Sequence, residues 1–185
     1  MTVESRFFLK NIASNEVILE DHSVFSRQWI IIPHIDKALL TPEFLVESFM
    51  AFIRTCTLSI VQPVQSGGKT AISLFGSSFL LLIFSGPEFS ENDRSQTAEL
   101  RIEGGLLVQR NECGKGMFSL IIEVVEEGVQ IAIQVSDYCP LLLGGRKPSL
   151  IRKWLYRYTQ ALMHKIIISR YLYSLCRQLE SGKSL

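Results

Sequence analysis

The 185-residue chain carries 19 Lys and Arg against 18 Asp and Glu, a formal net charge of +1, and is 47% hydrophobic and 20% charged. That composition excludes a disordered or collagen-like protein, and the near-zero charge excludes a uniformly basic nucleic-acid binder and a uniformly acidic protein. The length suits one α+β domain over residues 1–185.

Residues 1–40 read as extended structure with turns. Phe7-Phe8-Leu9 and Val17-Ile18-Leu19 are short apolar runs separated by Asn11, Ser14 and Asn15, which suits a hairpin or two edge strands. The β-branched crowding of 24–32 favours a strand that Pro33 stops. Thr41-Pro42-Glu43 opens a helix: Thr41 caps, Pro42 suits the first helical position, and Glu43 and Glu47 complement the positive end of the dipole. Leu45, Phe49, Phe52, Cys56 and Ile60 recur at spacings of three and four, so the helix is predicted over 42–61, with Pro63 beyond it.

An antiparallel meander is predicted over 69–136. Runs at 70–74 and 79–85 are bracketed by Gly67-Gly68, Gly76 and Gly86-Pro87, and the polar stretch 87–95 reads as a loop. Ala98, Leu100 and Ile102 then alternate with Glu99, Arg101 and Glu103, the period of a half-buried strand. The charged row is either a solvated sheet face or a cavity lining, and its alternating signs favour the solvated face. Runs at 117–125 and 129–135 meet at Glu126-Glu127-Gly128, a short hairpin connection, with Val129, Ile131, Ile133 and Val135 facing one way and Gln130, Gln134 and Ser136 the other.

Pro148 opens a long, basic, amphipathic helix predicted over 148–179. At roughly 1.5 Å per residue it would span about 45 Å, the length of a whole sheet. Trp154, Tyr156, Tyr158, Tyr171 and Tyr173 cannot share one narrow face, so core or interface positions suit them better than a base-stacking platform.

No catalytic or metal motif is present. Cys56, Cys113, Cys139 and Cys176 are widely spaced, as in buried thiols of a reducing compartment. The N-terminus has no basic region followed by an apolar stretch, and the most apolar run, 74–84, is too short to span a membrane, so a cytoplasmic protein is expected. Gly67-Gly68-Lys69-Thr70 imitates a phosphate-binding loop, but Pro63 stands where that pattern needs glycine, and a turn is the better reading. His22 and His164 carry no partner pattern, and His164 is expected on a polar helix face. The weak catalytic candidates are His34, whose neighbour Asp36 would orient an imidazole as base, and Asp137 with Tyr138, at a strand end that would rim a pocket.

Charge is unevenly laid out. Residues 145–185 hold nine basic residues and one acid, a balance of +8, against −7 for residues 1–144. Arg146, Lys147, Arg152 and Lys153 stand around the helix start, where free backbone N–H groups and cations would make an anion site. The bland alternative is that the acidic body of the protein neutralises this helix.

The element order over 69–179, with the capped helix before it, resembles the helix-grip superfamily: START domains, Bet v 1-like proteins and polyketide cyclases. The chain departs from that pattern in having two or three strands before the first helix and one helix, not two, before the meander. The resemblance implies a curved antiparallel sheet packed against a long C-terminal helix, with an apolar ligand between them. The leading functional expectation is therefore a non-enzymatic binder of a hydrophobic or amphipathic small molecule, needing no cofactor. The alternatives are a cyclase- or hydrolase-like enzyme in the same cavity, and a module that meets an anionic lipid or acidic protein surface through its last helix. The acidic body disfavours nucleic acid.

Overall fold

A computed structural model describes residues 12–21, 23–33, 35, 40–66, 68–76, 79–109, 116–143, 151 and 160–180. Alternating β-branched runs build eight strands: β1 (Ala13–Ile18), β2 (Val24–Ile32), β3 (Val61–Ser66), β4 (Lys69–Leu74), β5 (Leu80–Glu91), β6 (Ser95–Gly104), β7 (Met117–Val125) and β8 (Gly128–Tyr138). Helix α1 (Pro42–Cys56) links β2 to β3, and α2 (Leu162–Glu180) follows a short 3-10 turn at Leu141–Leu143. All strand pairings are antiparallel, and the spatial order is β1-β2-β8-β7-β6-β5-β4-β3 in one curved open sheet. The expected class holds: α+β, a curved antiparallel sheet against a long C-terminal helix, with one further helix before the meander.

Helix α1 starts as its sequence dictates. The Thr41 Oγ1 accepts a hydrogen bond from the Phe44 backbone N–H at 3.2 Å, Pro42 sits in the first turn, and Glu43 faces the dipole. Leu45, Phe49, Met50 and Ile53 are buried. Helix α2 buries Ile168, Tyr171, Leu172, Leu175 and Cys176, the three-and-four spacing of one apolar face. Both helices lie on the same face of the sheet, where Ile30, Ile32, Leu100, Leu120, Ile122, Ile131 and Ile133 complete one continuous apolar core with them. Phe49 stacks on Phe118 with ring centroids 5.2 Å apart, and Tyr171 meets Phe49 edge-on at 5.1 Å. No helix among the described residues is long and apolar enough to cross a membrane.

Two boundaries differ from the sequence reading. The first helix stops at Cys56, not 61, because Leu58 and Ser59 adopt left-handed φ values of 52° and 62°; the chain then forms edge strand β3. Pro63 is tolerated there because an edge strand has a side that needs no donor. Second, residues 87–91 continue β5 instead of forming a loop. A bulge places Gly86 and Pro87 opposite Leu100, with Ser85 paired to Arg101 and Glu88 to Glu99, so the strand passes the proline without a ladder bond from it. The turn is confined to 92–94, where Asn92 Oδ1 accepts from the backbone N–H groups of Arg94 and Ser95. Of the last helix, Ile151 and Leu162–Glu180 are helical, with a π-type turn at 160–161. The predicted start at 148, Phe7-Phe8-Leu9, Trp154, Tyr156 and Tyr158 lie outside the described residues.

The Gly67-Gly68 turn reading fits the structure: Ser66 pairs with Lys69 across it, and Gly68 has φ +77°. The Glu99, Arg101, Glu103 row lies on the outer sheet face, where Glu103 pairs with Lys69 at 2.5 Å.

Candidate functional site

The end of β8 decides which side chains reach the interior. Up to Val135 the odd-numbered residues face inward, and continuing that period would send Asp137 inward too. A bulge intervenes: Val24 pairs with Tyr138 but Ser26 pairs with Val135, so Ser136 and Asp137 together oppose one residue of β2. Asp137 takes up the irregularity with φ +51° and is exposed; a short polar side chain is among the few that tolerate that conformation. The parity reverses, and Tyr138 is the residue buried.

Tyr138 anchors a polar node under an apolar roof. Its hydroxyl donates to the Leu107 carbonyl at 2.8 Å. Gln160, at the turn leading into α2, uses Nε2 to donate to the Tyr138 hydroxyl oxygen and, at 3.4 Å, to the same Leu107 carbonyl. The segment after β6 is held alongside: Val108 bridges to Pro140, Gln109 donates its backbone N–H to the Cys139 carbonyl at 3.0 Å, and its side-chain Nε2 donates to the Pro140 carbonyl at 2.9 Å. The β8 exit, the 105–109 segment and the entry to α2 thus converge on one point. There the Gln160 Oε1 is buried and makes no hydrogen bond with the described residues.

Two further polar pairs cross the core. The Ser48 and Tyr171 hydroxyls lie 2.7 Å apart, with Tyr171 also donating to the Leu45 carbonyl, and Ser169 Oγ donates to Gln28 Oε1 at 2.9 Å. Burial pushes the Tyr171 hydroxyl pKa well above its ordinary value, an effect the Ser48 bond partly offsets. These satisfied groups lock α1 and β2 onto α2 and leave little chemistry free. His164 is half-buried on α2, not on a polar face, and desolvation pulls its pKa down to about 4, so it is neutral near pH 7. Burial raises the Cys56 thiol, with Arg170 pulling the other way.

Of the residues singled out from sequence, the structure brings Tyr138 into the node and leaves Asp137 outside it. His34, Arg146, Lys147, Arg152 and Lys153 lie outside the described residues, as does His22. The four-thiol reading needs correction: Cys56 and Cys176 are free thiols, but Cys139 is disulfide-bonded. Spacing along the chain carries no pairing information, whereas the fold lays the segment after β6 beside Cys139. Sequence reasoning missed Gln160 and Leu107 altogether. A glutamine in a helical stretch carries no mark that it is buried, and a backbone carbonyl has no sequence signature. Among the described residues no group of three His, Cys, Asp or Glu is placed to hold a metal ion.

No protein-family model matches the chain, and no curated protein matches it. Among solved structures, it is similar to CalU16 from Micromonospora echinospora, at 14% identity and a TM-score of 0.25, over 68% of this chain and 66% of that one, just under two thirds of that protein's length.

Proposed function

We propose that this protein binds a hydrophobic or amphipathic small molecule between the sheet and α2, without catalysing its conversion. The observation that carries the reading is the Gln160 Oε1. A buried carbonyl left without a donor costs about 1–3 kcal/mol, and this one sits at the margin of an apolar core beside a tyrosine hydroxyl. A ligand hydroxyl, amide or ammonium group would supply the missing donor while its apolar body joined the adjacent core. Binding is favoured over turnover because the Tyr138 hydroxyl donates to a backbone carbonyl and Asp137 is exposed on the other side of the bulge.

Mass spectrometry of protein purified under native conditions tests for a co-purifying molecule, and titration with an environment-sensitive fluorophore tests for a saturable site. Wild type should show saturable binding, and Gln160→Met, which keeps shape but removes the acceptor, should weaken it roughly tenfold, the worth of one good hydrogen bond. A wild type with neither a co-purified ligand nor saturable binding would end this reading, as would a Gln160→Met variant that binds equally well.

A further inference from the structure

One end of the sheet, where α1 enters β3 and β4 turns into β5, displays large apolar side chains to solvent. Leu58 is 86% exposed, Phe75 68%, Phe79 63% and Ile60 45%. Their turns are tied together: the Phe75 N–H donates to the Ile60 carbonyl at 2.6 Å, Leu74 N–H to the Phe79 carbonyl, and Thr57 Oγ1 donates to the Ile53 carbonyl at 2.7 Å while accepting from the Val61 N–H. Leu106 is 47% exposed and joins the cluster through its N–H, which donates to the Leu80 carbonyl.

Folding stability alone does not account for these residues. Leu58 follows α1 with its N–H bonded to the Thr55 carbonyl, while the Ser59 N–H reaches back to Arg54. That is the left-handed position after a helix where glycine or asparagine is favoured. Phe75 also holds a left-handed φ, 54°. Bulky residues are uncommon there, and at two such positions on adjacent turns this chain places a large apolar side chain facing water.

The segment that builds the patch carries no acid of its own. Residues 48–87 contain no Asp or Glu, and neither do residues 138–179. Arg54 is exposed in the last turn of α1, and the charge of exposed Arg170 on α2 acts on the Cys56 thiol in that same turn, against the larger effect of burial. The turns at the opposite end of the sheet carry exposed Glu91, Asp93, Glu126 and Glu127. Apolar tips beside exposed Arg54, at the β3–β5 corner of a sheet whose acids at this same end, Glu20, Asp21 and Asp137, stand on β8 and the β1–β2 turn, form a pattern that partitions into the interface of an anionic bilayer: the rings and leucines enter the acyl boundary and the guanidinium meets headgroups.

We propose that the α1–β3 and β4–β5 turns, with Leu58, Ile60, Phe75, Phe79, Arg54 and Arg170, dock this protein onto a membrane surface containing anionic lipid. The inference does not depend on the small-molecule reading, since the Tyr138–Gln160 node has no part in it.

The test is co-sedimentation of the full chain with vesicles of phosphatidylcholine alone and with added phosphatidylserine, at low and physiological salt. Wild type should bind the anionic vesicles preferentially. Leu58→Asn/Phe75→Asn removes apolar surface with residues that suit a left-handed backbone, so its thermal unfolding should hold or rise while binding falls roughly tenfold or more. Arg54→Gln/Arg170→Gln should lower binding to anionic vesicles by about tenfold and flatten its salt dependence. The double-asparagine variant keeps every cation of residues 144–159, so undiminished binding by it would overturn the proposal. So would a wild type that ignores both vesicle types, including one that sedimentation velocity shows to be a dimer dissociated by the asparagine substitutions; that result would assign the face to a second copy of the chain.

Discussion

On α2, one side chain makes folding stability sensitive to acid. His164 has an ordinary pKa near 6.5, and in the folded protein desolvation lowers it to about 4. Above pH 6.5 both states are neutral and the residue contributes nothing. Between 6.5 and 4 the unfolded chain takes up a proton that the folded protein refuses, so stability falls as pH falls through that window. The loss reaches on the order of 2–3 kcal/mol near pH 4. Thermal unfolding of wild type and His164→Gln between pH 7.5 and 4.5 (a range set by those two values) should show a steeper decline for wild type; parallel curves would show that the imidazole is solvated. Residue-level reasoning from sequence was weakest at β8's end. Asp137 was legible as a strand-end acid, but the bulge that exchanges it for Tyr138 leaves no mark in the apolar–polar pattern. Asp137→Asn should therefore leave both stability and ligand binding unchanged, measured by thermal unfolding and by the fluorophore titration.

At the scale of elements, hydrophobic period was informative where each strand had two chemically distinct faces. Ile131 and Ile133 are fully buried and Gln130 and Gln134 are not, as their alternation predicts. Ile133→Ala should cost roughly 2–5 kcal/mol and Gln134→Ala within about 0.5 kcal/mol, read as shifts in the denaturant midpoint. Equal shifts would place the register wrongly. The pattern failed at β3 and β5 because their limits are set by backbone conformation: a left-handed turn after Cys56, and a bulge that absorbs Gly86 and Pro87. Gly105 shows the same control. It has φ +124°, and a Cβ added to it would lie 2.3 Å from the Leu81 carbonyl oxygen. Backbone on both sides cannot yield, so Gly105→Ala should destabilise by at least about 2 kcal/mol; a cost like that of an ordinary surface substitution would show that the 105–109 segment is not pinned against β5.

Across the whole molecule, one core draws on β2, α1, every strand from β4 to β8, and α2, so the described parts should unfold in a single cooperative transition. The cysteines add a constraint that no periodicity could reveal. Reading them as four buried thiols followed from their wide spacing, but pairing depends on which loops the sheet order brings together, and the strand–loop contact at Gln109 and Cys139 is long-range. A disulfide at Cys139 closes a loop in the unfolded chain and typically stabilises by about 2–4 kcal/mol, and such bonds persist in oxidising surroundings. Alkylation of denatured, unreduced protein should therefore modify Cys56 and Cys176 and spare Cys139, with Cys139 becoming reactive only after reductant. Reductant should also lower the unfolding temperature of wild type and leave that of Cys139→Ser unchanged, which separates loss of this bond from any effect on the free thiols. Alkylation of Cys139 without reductant, or identical responses of wild type and variant to reductant, would show that the β8 exit is held by its hydrogen bonds to residues 107–109 alone.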